Sequence, residues 1–119
     1  MRLAVAALLA PALAACASLP RRSEPRYHFE FELGPVRGQY RTFACTSTAT
    51  DLETKQKLTA PEARARVGEE GKSSGDEAAP FAHLEVTVNV DPSGRTAGCH
   101  AAVYSGGKLL GSDRTIIRD

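Results

Sequence analysis

The stretch from His83 to Ile117 constrains this chain most. Leu84, Val86, Val88 and Val90 alternate with His83, Glu85, Thr87 and Asn89. Successive side chains of a strand point to opposite faces, so a period of two with one apolar set means a half-buried β-strand. Asp91-Pro92-Ser93-Gly94 follows. Proline presets the second turn position, and glycine accepts the positive φ that tight turns use. Ala97, Cys99, Ala101 and Val103 resume the alternation, Gly106-Gly107 gives a second tight turn, and Leu109 to Ile117 returns. The apolar set is even-numbered before the first turn and odd-numbered after it, so only a loop with an even number of residues keeps both sets on one face. A four-residue Asp91–Gly94 loop places Val86 opposite Cys99. A two-residue Gly106-Gly107 loop places Val103 opposite Leu110 and Ala97 opposite Ile116. The expectation is a C-terminal three-stranded antiparallel meander.

The preceding residues extend the same pattern. Tyr27, Phe29, Phe31 and Leu33 alternate with His28, Glu30 and Glu32, and Gly34-Pro35 ends the run. Gln39 to Thr50, with Tyr40, Phe43, Cys45 and several threonines, also favours strand. Over Asp51–Val67, Leu52, Leu58, Ala63 and Val67 make only a thin helical stripe, and Pro61 would interrupt the helix. Two short strands fit better: a turn at Thr54–Gln56, then Leu58, then Ala63, Ala65 and Val67 alternating with charged residues. Gly68–Pro80, rich in glycine, serine and acidic residues, is expected to be a mobile loop. The 119 residues suit one domain, and the absence of Trp leaves few large anchors for its core. The fold class is therefore all-β, a small antiparallel β-sandwich or open barrel. Thr50 through Leu58 to Gly68-Glu69 resembles a turn-and-strand pattern of bacterial envelope β-domains, with Lys55 where such patterns often carry glycine.

The first residues read as an address. Arg2 supplies a positive start, Leu3–Leu13 an apolar run too short to span a bilayer as a helix, and Ala14-Ala15 small residues. Leu13-Ala14-Ala15-Cys16 resembles the lipobox of bacterial lipoproteins. That resemblance implies a signal peptide over 1–15, removed after the Cys16 thiol takes a diacylglyceryl group. It implies a membrane partner through the N-terminal lipid. Ala17, where aspartate often marks inner-membrane retention, implies the outer membrane, facing the periplasm. Residues 16–26 read as the lipidated N-terminus and a tether, with Pro20, Pro25 and three arginines, and 27–119 as the β-rich domain. With Cys16 carrying lipid, Cys45 and Cys99 are an even pair in an oxidising compartment. A disulfide between them closes a long loop, worth about 4 kcal/mol by chain entropy.

Other motifs carry little chemistry. Gly71-Lys72-Ser73 matches the end of a phosphate-binding loop, but Arg66 stands where its first glycine belongs. His28, His83 and His100 show no short metal-ligand spacing. Ser93 and Ser105 lie in plain turns, and Glu30 and Glu32 share one strand rather than flanking a cleft. No catalytic residue, metal site or cofactor is assigned. Arg64, Arg66, Glu69 and Glu70 form a mixed-charge patch that reads as a partner contact or as a charged edge that blocks unwanted pairing. A formal charge of +1 gives no dense basic surface for nucleic acid. The expected role is a non-catalytic binding or accessory module that meets another envelope protein. The alternative is a periplasmic inhibitor of a lytic enzyme or protease acting through the Gly68–Pro80 loop.

Overall fold

The structure, a computed structural model, describes residues 26–77 and 81–118. The expected signal segment, Cys16 and the tether up to Pro25 lie outside the described residues, as does Pro80. The described chain is all-β, two four-stranded antiparallel sheets packed as a small sandwich.

The first sheet holds β1 (Tyr27–Pro35), β2 (Thr42–Asp51), β3 (Lys57–Thr59) and β4 (Ala63–Arg66). β1 pairs along all of its length with β2, from Tyr27 opposite Asp51 to Pro35 opposite Phe43. β3 and β4 both pair with β2, Leu58 opposite Ala49 and Ala63 opposite Cys45. They form one edge strand broken around Pro61, which has no N–H to donate to a ladder. The short-strand reading of this region therefore holds. β2 starts later than expected: Gln39 to Arg41 belong to the turn, and Tyr40 is 77% exposed. Gly38 and Arg41 at φ +82° and +53° reverse the chain there, closed by a hydrogen bond from the Val36 N–H to the Thr42 carbonyl.

The second sheet runs in the order β5 (Glu70–Ser74), β6 (Ala82–Val90), β7 (Thr96–Ser105), β8 (Lys108–Arg118). The β6–β7–β8 meander is present, with two corrections to its register. Val86 faces Ala101 and Val88 faces Cys99, a slip of two residues. The Asp91 N–H bonds the Thr96 carbonyl, and the turn from Pro92 to Arg95 sits inside that pair. The enclosed loop is still even, so the apolar face survives the slip. On β8, Ser105 pairs with Lys108 and Tyr104 with Leu109, but Val103 then pairs with Gly111. Leu110 is the extra residue of a bulge, and beyond it the parity reverses. Ala97 consequently faces Ile117, while Ile116 points outward at 50% exposure. The bulge sets Gly111 beneath the Tyr27 ring, where a Cβ would lie 3.3 Å from a ring carbon.

The expected mobile loop is corrected as well, because Glu70–Ser74 is a strand paired with β6. Its glycines serve close approach. β5 also runs back along the broken edge of the first sheet, where a Cβ on Gly71 would stand 1.8 Å from the Arg64 carbonyl oxygen and one on Gly75 1.9 Å from that of Thr59. Ser73 donates its hydroxyl to the Pro61 carbonyl between them. The two sheets are thus drawn together at the β4–β5 corner.

Between the sheets lie Leu84, Val86, Val88 and Val90 of β6 and Ala97, Cys99, Ala101 and Val103 of β7, against Cys45, Ala49, Leu58, Ala63 and Ala65. These side chains are small. The Cys45–Cys99 disulfide crosses this core from β2 to β7, joining residues 54 apart in sequence with Cα atoms 6.3 Å apart.

Candidate partner-binding pole

One end of the sandwich gathers arginines from four separate segments. The β1–β2 turn carries Arg37 and Arg41, and the corner after β4 begins at Arg66. The Val67 N–H bonds the Arg41 carbonyl, and the Gly68 N–H bonds the Val90 carbonyl. These two bonds tie the corner to the turn on one side and to the end of β6 on the other. The β6–β7 turn closes over the corner, where a Cβ on Gly94 would lie 3.3 Å from Val67 Cγ2 and 3.9 Å from Arg41 Nη2. That turn carries Arg95, and Arg118 pairs with Thr96 beside it on β8. All five arginines are exposed. Tyr40 joins them, with the Arg41 guanidinium 5.6 Å from its ring centroid.

Among the described residues, Asp91 and Glu69 are the carboxylates near this end, and neither forms an ion pair with these arginines. Among the described residues, the ion pairs use Arg26, Arg64, Lys72 and two histidines, and none of these five guanidinium groups. Asp91 is engaged by Ser93, whose hydroxyl and N–H both donate to it. Those bonds hold the Asp91 carboxyl below its usual range, with the hydroxyl as the larger cause. Glu69 is the other acid at the corner, its N–H bonded to the Arg66 carbonyl. A guanidinium presents a planar fork of N–H donors that matches carboxylate or phosphate oxygens two at a time. Exposed forks on short, braced turns suit the recognition of an anionic surface.

The mixed-charge patch expected as a partner contact is divided by the fold. Arg66 and Glu69 stand at the arginine pole. Arg64 is turned to Glu62 at 2.8 Å, and Glu70 lies 3.8 Å from Lys72. Arg37, Tyr40, Arg41, Arg95 and Arg118 were not singled out from sequence. Arg41 and Arg95 do share a signal, since each closes a turn opened by glycine or proline.

The three histidines do not gather into one site. His28 and Glu30 lie on the outer face of the first sheet, while His83 and Glu85 lie on that of the second, 2.9 Å from each other. His83 stacks on Tyr104, and His100 sits further along, opposite Thr87 and Arg114. Among the described residues no group of three His, Cys, Asp or Glu side chains is placed to hold a metal ion. A groove of about 710 Å³ lies over β1–β3, rimmed by Glu30, Glu32, Thr46, Thr48 and Thr59. The Glu30 side chain there is 72% exposed, so the groove neither shields charge nor excludes water. Comparison with protein-family models, with curated proteins and with solved structures gives no match to this chain.

Proposed function

We propose that this chain is an envelope lipoprotein, anchored through acyl chains on Cys16, whose sandwich is a non-catalytic binding module. Its arginine pole is the surface that meets a partner, and the partner presents carboxylates or another dense anionic array. The observation that carries this reading is the convergence of Arg37, Arg41, Arg66, Arg95 and Arg118 at one end without an ion pair among the described residues. A second feature supports it. The chain enters the sandwich at Arg26, opposite Leu52 and away from the arginine turns, so a tether there leaves the cationic pole facing outward. Confinement near a membrane raises the effective concentration of that pole towards envelope neighbours, so modest intrinsic affinity suffices. The location by resemblance is the periplasmic leaflet of the outer membrane. The inhibitor alternative relied on a loop at Gly68–Pro80, and much of that segment is the paired edge strand β5.

Affinity capture from native membranes tests the proposal. The wild-type chain is compared with Arg41→Glu/Arg95→Glu/Arg118→Glu. A stoichiometric partner held by the wild type and lost by the variant supports the reading. Recovery of the same partners by both proteins refutes the arginine pole as the binding surface.

A further inference from the structure

We propose that the opposite pole, where the chain enters the sandwich, seats on a lipid bilayer through Leu52, Phe81 and Leu109. This rests on the anchoring reading above and adds to it an orientation and a contact surface.

The fold brings these three side chains to one end. Leu52 follows β2, and its N–H bonds the Arg26 carbonyl. Phe81 precedes β6, whose first residue, Ala82, pairs with Ser105. Ser105 pairs with Lys108 across the hairpin that carries Leu109. The Tyr27 ring over Gly111 joins the two sheets at the same level. Leu52, Phe81 and Leu109 are 44%, 72% and 52% exposed, and each lies at or beside a turn. The other large exposed apolar residues among those described lie elsewhere: Tyr40 against Arg41 at the arginine pole, and Ile116 on the outer face of β8.

Phe81 carries a second sign. Its φ is +63°, a left-handed conformation that a bulky L-residue adopts only under strain. Strained backbone persists where the surroundings impose it, and it recurs at sites that present a side chain for use. The strain here accompanies a phenyl ring held out in water rather than one folded over the core.

Two further facts select a bilayer as the occupant. The chain that precedes the sandwich joins it at this pole, and the residues from Cys16 to Pro25 reach at most about 35 Å when fully extended. An anchor on Cys16 therefore keeps this end within about 35 Å of the membrane, closer than the arginine pole can be held. The charges here also nearly cancel. Asp51 is paired with Arg26, and Lys55, Lys57 and Lys108 stand among Glu53, Asp76 and Glu77. The attraction is then apolar insertion at the headgroup level, the mode used by interfacial aromatic and leucine side chains, and it does not depend on anionic lipid.

The chain contains no Trp, so one introduced indole is a clean reporter. The chain from Cys16 onward is coupled through its Cys16 thiol to a maleimide lipid in phosphatidylcholine–phosphatidylethanolamine vesicles, because Cys45 and Cys99 are spent on each other. Phe81→Trp is read against Tyr40→Trp, with circular dichroism confirming the fold of each. The expected result is blue-shifted emission at position 81, quenched by lipids brominated high on the acyl chain and unchanged in high salt. Position 40 stays solvent-like. Adding Leu52→Ser and Leu109→Ser weakens vesicle partitioning of the uncoupled Phe81→Trp protein by about tenfold per residue. Equal quenching at 81 and 40, or none at 81, overturns the proposal. A concentration-dependent blue shift at 81 without vesicles assigns the surface to a second copy and overturns it too. Flotation of the natively purified chain reports on anchoring separately, so the two readings fail by different signs.

Discussion

The Arg26 guanidinium donates to the Asp51 carboxylate at 2.9 Å and so closes the entry of the chain against the end of β2. Asp51 is 3% exposed, and its other oxygen accepts the Glu53 N–H at 2.9 Å and the Thr54 N–H at 3.4 Å. One carboxylate therefore fastens the first strand and shapes the β2–β3 turn. The Arg26 hydrogen bond is the main reason its carboxyl titrates at about 2 instead of 3.8, against an opposing effect of burial. A folded-state value below the unfolded one stabilises the fold above about pH 4, and that contribution disappears as pH falls towards about 2. The loss is on the order of 1 kcal/mol, discounted because Arg26 is partly exposed and screened. Asp51→Asn keeps the turn acceptor and is expected to cost about 1 kcal/mol, whereas Asp51→Ala leaves turn N–H groups without a partner and costs about 2–3 kcal/mol. Urea midpoints across pH 2–7 check the ordering, and Asp51→Asn should flatten the acid limb.

The Cys45–Cys99 bridge is the largest single covalent constraint on this small core. Reduction, or Cys45→Ala with Cys99→Ala, is expected to lower stability by about 4 kcal/mol, nearly the whole margin of a small domain. Denaturant unfolding with and without reductant measures it. A loss below about 1 kcal/mol would mean that the sheets need no tie.

Glycines at close approaches are expected to resist substitution where other glycines do not. Gly71→Ala and Gly75→Ala drive a Cβ into backbone carbonyls of Arg64 and Thr59, so each should cost about 3 kcal/mol or prevent folding. Gly34→Ala meets nothing within 4 Å and should leave the thermal midpoint unchanged or slightly raised. Equal effects at all three positions would contradict the edge-on packing of β5.

Lys55 occupies the left-handed region at φ +68°, just after the turn that Asp51 caps. Lys55→Gly relieves that conformation and is expected to stabilise the domain by about 1 kcal/mol. A rise in thermal midpoint checks this, and a fall would mean that the lysine side chain contributes contacts that outweigh the strain.

The legible part of the fold was the part governed by period two. Val86, Val88 and Val90 point inward under any even loop, which is why the meander was readable although its register slipped by two. The bulge at Leu110 was not readable, because the doubled pairs Leu109-Leu110 and Ile116-Ile117 offer an apolar residue of either parity. Gly71 and Gly75 looked like signs of mobility. Glycine in a string marks both flexible chain and close packing, and only the partner backbone distinguishes the two. Cys45 and Cys99 were readable as the remaining pair. The arginine pole was hidden for a different reason. Arg37, Arg66, Arg95 and Arg118 are scattered along the chain, the net charge is close to zero, and only the closure of three turns beside the end of β8 brings them together.

Both functional proposals require a lipid on Cys16, and intact-mass spectrometry of the chain purified from its native membrane tests that most directly. The account predicts a mature polypeptide beginning at Cys16 and heavier than its sequence by a diacylglyceryl group, with or without a further acyl chain on the new amine. A chain that retains Met1–Ala15, or a processed chain with no fatty acid, would contradict it.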